Sequence, residues 1–112
     1  MVIKMNDDIA EVKEMISSQY YKECEALISS LMLDHPHSAL PHNLMGILLE
    51  KQGRHEEAMR HFRAAYALDP QYEPAEKNME NFGTFAMHRE YDYGEDFVIP
   101  PMQQSPSERK MK

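Results

Sequence analysis

The chain has 112 residues with 12 basic and 19 acidic side chains, and its net charge of −7 argues against a general nucleic-acid binder. A single Cys excludes an intramolecular disulfide and a multi-Cys metal knuckle, and no run of about 18 apolar residues is present to span a bilayer. With 4 Gly, 10 Met, 42% hydrophobic and 28% charged residues, the composition fits one soluble domain with a modest core, not a turn-rich β protein.

The elements follow in chain order. The polar start, Met1–Asp8, lacks the apolar core of a signal peptide, so a cytoplasmic location is expected. Met5, Ile9, Val12 and Ile16 are spaced 4, 3, 4, which predicts a helix over about 7–18 with Asp7 and Asp8 in its first turn. Tyr20, Cys24, Leu27 or Ile28, and Leu31 predict a second helix over 20–34, stopped by Pro36. Ser38 suits the cap of a third helix, 39–52, marked by Leu44, Gly46 and Leu48. Ala58, Phe62 and Ala65 mark a fourth, 55–68, with Glu56 and Glu57 at its positive end and Pro70 beyond it. Ala75, Met79, Phe82 and Ala86 repeat the 4, 3, 4 spacing in a fifth, 73–89, where Pro74 is tolerated in the first turn. From Glu90 to Ile99 the chain is acidic and aromatic without a helix period. It reads as extended, and Pro100–Lys112 reads as disordered.

An internal repeat organises these helices. Leu33-Asp34-His35-Pro36 and Ala67-Leu68-Asp69-Pro70 lie 34 residues apart. At the same offset Glu23 pairs with Glu57, Cys24 with Ala58, Ile28 with Phe62 and Leu31 with Ala65. His42, Met45-Gly46, Leu49, Ala58, Phe62, Ala65 and Pro70, with the turn Lys51-Gln52-Gly53-Arg54, make residues 39–72 resemble a tetratricopeptide repeat, a 34-residue helix–turn–helix unit. Residues 5–38 form a degenerate copy, with Val12 in the place of Gly46 and Gln19 in the place of Gly53. The resemblance implies an all-α domain over 5–89: antiparallel helix pairs making about two repeats (5–38 and 39–72), then a closing helix (73–89), an α-solenoid fragment. Residues 90–112 form a tail. Within the second repeat, Gly46 is expected to face Ala58 closely.

Candidate chemistry is thin. His35, His37 and His42 surround one turn, but no acidic or Cys partner lies at a fixed spacing, so no metal site is assigned. His55 and His61 are not at i, i+4, and His88 suits a helix end. Cys24 replaces a small residue where two helices pack, which reads as a structural thiol. Glu56 and Glu57 point about 100° apart and form no dyad. The helical Met residues are core fillers or adaptable contacts, and Arg60 and Arg63 read as a solvated face. No phosphate loop, nucleophile elbow or HExxH is present, so no enzyme activity and no cofactor are expected.

The resemblance implies a binding module (an adaptor, scaffold or small chaperone-like protein) with a concave groove lined by the first helix of each unit. Carried onto this chain, the groove positions are Asn6, Ile9, Lys13, Asn43, Ile47, Glu50, Lys51, Lys77 and Asn81. The lysines among them favour an acidic protein or peptide partner. One subclass of the family clamps chaperone C-termini. Its clamp places hold Ile9, Lys13, Leu44, Pro74 and Asn78 here, and none matches. A homodimer stacking repeats between chains is the alternative, since two repeats are fewer than a solenoid usually needs. Tyr91, Tyr93, Phe97, Val98 and Ile99, interleaved with Glu90, Asp92, Glu95 and Asp96, complement such a groove. Residues 91–99 are therefore expected to pack on helical surface, either in the groove or as a cap on the fifth helix.

Overall fold

The computed structural model describes the backbone of residues 2–83 and 91–94, with the side chains of 7–82 and 91–94. Expectations for 84–90 and 95–112, including Ala86, His88 and Phe97–Ile99, lie outside the described residues, as does the side chain of Asn6. Five helices follow in order: α1 (Val2–Ser17), α2 (Tyr21–Asp34), α3 (Ala39–Lys51), α4 (His55–Leu68) and α5 (Glu73–Gly83). Among the described residues there is no strand, and no helix is long and apolar enough to cross a membrane. The architecture is all-α and tetratricopeptide-like.

The helix ends obey local chemistry. Ser38 caps α3, its Oγ accepting the Leu40 N–H at 3.2 Å. α2 and α4 end at Asp34 and Leu68, two residues before Pro36 and Pro70. Pro41 and Pro74 fall in first turns, where a missing N–H costs nothing. One described boundary differs from expectation by more than a residue. α1 starts at Val2, not near Asp7, so Asp7 and Asp8 stand beyond its first turn. Helical backbone persists upstream of the acidic pair because Val2–Asn6 contains no breaker.

The two inter-helix turns are copies of one another. Gly53 has φ +79, its N–H bonds Glu50 O at 3.0 Å, and the Arg54 N–H bonds Leu49 O at 2.9 Å. Thirty-four residues earlier, Gln19 has φ +64, with Gln19 N–H on Ile16 O at 3.0 Å and Tyr20 N–H on Met15 O at 2.9 Å. Both are Schellman turns, which need a left-handed residue after the helix. Glycine adopts that conformation freely in the second, and glutamine is forced into it in the first.

Consecutive helices pack in turn, most extensively α3 on α4. Within the described residues α1, α3 and α5 also meet side by side, whereas α2 and α4 do not touch. The odd-numbered helices therefore form the inner, concave layer. α3 lies between both pairs, and every residue from Ala39 to Leu49 except His42 is buried. That explains why α3 is apolar almost all round. Gly46 lies under the Phe62 ring: a Cβ added there would stand 2.6 Å from Phe62 Cδ1. The atoms nearest that position belong to Phe62, one turn beyond the Ala58 named from the sequence. The missing side chain at 46 makes room for a ring one turn further along α4. Cys24 is buried, and burial pushes its thiol pKa up to about 11, so it stays protonated and structural.

Candidate functional site

The concave layer carries a short extended segment of the same chain. Tyr91 lies beside the last turns of α3 and α5: its ring stacks on Phe82 (centroids 4.7 Å, 15°), with Lys51 Nζ 5.0 Å from its centroid. Gly94 lies beside Tyr72 and Pro74 at the start of α5. The segment therefore runs antiparallel to α5. Tyr93, at 9% exposure, joins the hydrophobic core, meets Tyr91 edge-on at 6.3 Å, and has Lys13 Nζ of α1 5.3 Å from its ring centroid.

Two buried asparagines hold the backbone between the tyrosines. Asn78 Oδ1 accepts the Asp92 N–H at 2.8 Å, and its Nδ2 donates to the Asp92 carbonyl at 2.8 Å. Asn43 Nδ2 donates to that same carbonyl at 2.9 Å, and Asn78 Nδ2 also donates to Asn43 Oδ1 at 2.8 Å. Both asparagines are fully buried, where an unpaired amide would cost about 1–3 kcal/mol. The backbone N–H and C=O of Asp92 complete this network. The Asp92 side chain closes a local turn, with Oδ1 accepting the Gly94 N–H at 2.9 Å and Oδ2 lying 3.9 Å from Lys77 Nζ. Lys77 is exposed, so that ion pair contributes little.

The residues expected to line the groove divide into two groups. Lys13, Asn43, Lys51 and Lys77 converge on Tyr91–Gly94. Ile9 and Ile47 do not line an open groove: they are 3% and 0% exposed and belong to the core, because helices α1 and α3 turn those positions toward their neighbours. Glu50 is drawn aside by His55, with Oε2 2.6 Å from His55 Nδ1 across the intra-repeat turn. Asn81 is half-buried on α5.

Sequence reasoning missed two features. Asn78 counted only as a mismatch to a chaperone clamp, yet it carries the most hydrogen bonds to the segment. Its position among Ala75, Met79 and Phe82, on the apolar face of α5, was the available signal. The second is a pair of imidazoles on the α3–α4 contact: His42 Nδ1 and His61 Nδ1 stand 3.0 Å apart with stacked rings (5.2 Å, 27°). Burial lowers the pKa of both, and His42 lowers that of His61 further. No local spacing announces a pair drawn from two helices. Among the described residues no group of three or more His, Cys, Asp or Glu side chains is placed to hold a metal ion.

No curated protein and no solved structure matches the chain. Residues 39–72 match the tetratricopeptide repeat family, whose repeats generally mediate protein–protein interaction. The matched segment coincides with α3, α4 and their flanking turns, and the same Schellman turn recurs 34 residues earlier; residues 39–72 of the chain are a tetratricopeptide repeat.

Proposed function

We propose that the chain is a protein–protein interaction module, not an enzyme, and that the face of α1, α3 and α5 holds an extended segment of a protein partner. The observation that carries this reading is the Asn43–Asn78 pair. These side chains bond both backbone polar groups of one residue, Asp92, on the inner face. Backbone-directed amides suit peptide binding, because every peptide presents the same N–H and C=O at fixed spacing. The exposed lysines Lys13, Lys51 and Lys77 ring the same site and favour acidic segments.

A test is to clear the face by Tyr91→Ala/Tyr93→Ala and pan a phage-displayed peptide library against the full chain. Recovery of peptides whose binding is lost on adding Asn78→Ala supports the reading, and a library that yields none defeats it. Light scattering separates the homodimer alternative. A monomer is expected, and a stable dimer would favour repeats stacking between chains.

A further inference from the structure

We propose that Tyr91–Gly94 is a tethered competitor, and that the partner segment carries the same chemistry: aromatic, acidic, aromatic, glycine. This rests on the peptide-binding reading above and adds what the peptide must look like.

Each place in the tetrad is selected by a different contact. The first needs a flat ring, because Phe82 offers a parallel face at 4.7 Å and Lys51 lies 5.0 Å from the ring centroid. The second has its backbone bonded on both sides, so its side chain points outward. There a carboxylate both accepts the fourth residue's N–H, at 2.9 Å, and faces Lys77. The third is again aromatic: it is nearly buried, packs edge-on to the first ring and has Lys13 5.3 Å from its centroid. The fourth must be glycine for two independent reasons. Its φ is +85, and a Cβ there would collide with the Tyr72 hydroxyl and lie 3.3 Å from Tyr72 Cζ.

These contacts are of an exchangeable kind. A main-chain pairing, two cation–ring contacts and one seated ring are what a separate peptide would also make. The segment is joined to Gly83 by residues 84–90 alone, so its effective concentration at the face is of order millimolar. A partner must exceed that competition, and its apparent affinity falls by the fraction of time the face is occupied. The tail thereby sets a threshold that admits only a segment with better contacts or higher local concentration.

The probe is a synthetic peptide of residues 88–97, titrated by fluorescence anisotropy against two full-length chains, wild type and Tyr91→Ala/Tyr93→Ala. The double variant should bind at least tenfold more tightly than wild type. Replacing the peptide's glycine by alanine, or adding Asn78→Ala to the protein, should each weaken binding at least tenfold. Equal binding to both chains, or indifference to the glycine, overturns the proposal. If the library of the preceding section instead yields Asn78-dependent peptides lacking the tetrad, the interaction module stands and the tethered-competitor idea falls. Should circular dichroism show the double variant unfolded, the same peptide is titrated into wild-type protein to roughly 10 mM, above the expected effective concentration. Movement of the Gly94 amide resonance then supports displacement, and a stationary resonance overturns it.

Discussion

The two repeats fill the same slot with opposite distributions of bulk. In the second, glycine stands on α3 and phenylalanine on α4. In the first, the equivalent positions are Val12 on α1 and Ile28 on α2, both fully buried. Two buried residues of medium size stand where the second repeat has a glycine facing a ring. The number of side-chain carbons is kept while its division changes, which is close to the kind of exchange cores tolerate. The turns show the reverse. Backbone geometry is kept at Gln19 and Gly53, and the residue is not adapted to it in the first repeat. The second repeat, with glycine at both places, is the one that matches the family.

The sharpest way to break this comparison is to give the second repeat the first repeat's residue. Gly46→Val places a branched side chain where even a Cβ stands 2.6 Å from the Phe62 ring. Its expected cost is about 3 kcal/mol, the upper end for overpacking. Adding Phe62→Ile, which completes the first repeat's pair, should recover much of it, with a coupling of about 1 kcal/mol or more. Urea unfolding of the two single variants and the double measures this directly. Strict additivity would mean the two slots are not equivalent.

The third unit differs from both repeats in burying an amide at one equivalent position. Where Ala10 and Leu44 stand, it has Asn78, buried and bonded to Asp92 and Asn43. Asn78→Ala removes both bonds to the segment and leaves Asn43 with less of its network, at about 2 kcal/mol for unsatisfied buried amides. Amide exchange at Asp92 should quicken in the same variant. If stability falls but that amide stays protected, the segment is held by its rings and not by the asparagines.

A smaller pair of changes tests the turns. Gln19→Gly should stabilise by about 1 kcal/mol, because glycine adopts a left-handed conformation that costs glutamine roughly that much. Gly53→Gln, where no atom lies within 4 Å of an added Cβ, should lose about the same by backbone strain alone. Thermal unfolding of both reads the symmetry. A gain without the matching loss would mean that the two turns do not carry the same backbone strain.

Much of this fold was legible because its determinants are local or periodic. Helix faces, proline stops, the Ser38 cap and the 34-residue echo are all written in short stretches. The layer of first helices followed from the repeat, and Lys13, Asn43, Lys51 and Lys77, named from it, lie against Tyr91–Gly94. Ile9 and Ile47 were not, because a helix in a two-sided layer buries positions that a single-sided groove would expose. The Asn43–Asn78–Asp92 network joins three segments up to 49 residues apart, and no pattern within one helix encodes such a meeting. Asn78 was readable only as a polar residue on an apolar face, which signals a partner without naming it.

The smallest expected effect separates the repeats by pH. His42 and His61 meet on the second repeat's helix pair, and the equivalent residues of the first are Asp8 and Leu27. Burial holds both imidazoles below their ordinary value, His42 adds to the depression of His61, and Glu57 partly opposes it. Protonating both would also set N–H against N–H across 3.0 Å. Below the ordinary imidazole pKa of about 6.5, the unfolded chain takes up protons that the folded pair resists. Stability from this pair is therefore complete above that value and declines as pH falls toward the lowered folded values. His61→Leu installs the first repeat's residue and removes one of the two groups. Its melting temperature should drop less between pH 7.5 and pH 5 than that of wild type, whatever its absolute value. Carboxylates elsewhere titrate alike in both proteins, so the difference between the two drops isolates the histidines. An equal or larger drop in His61→Leu would show that the pair does not govern the acid limb, and the two repeats would then be indistinguishable by pH.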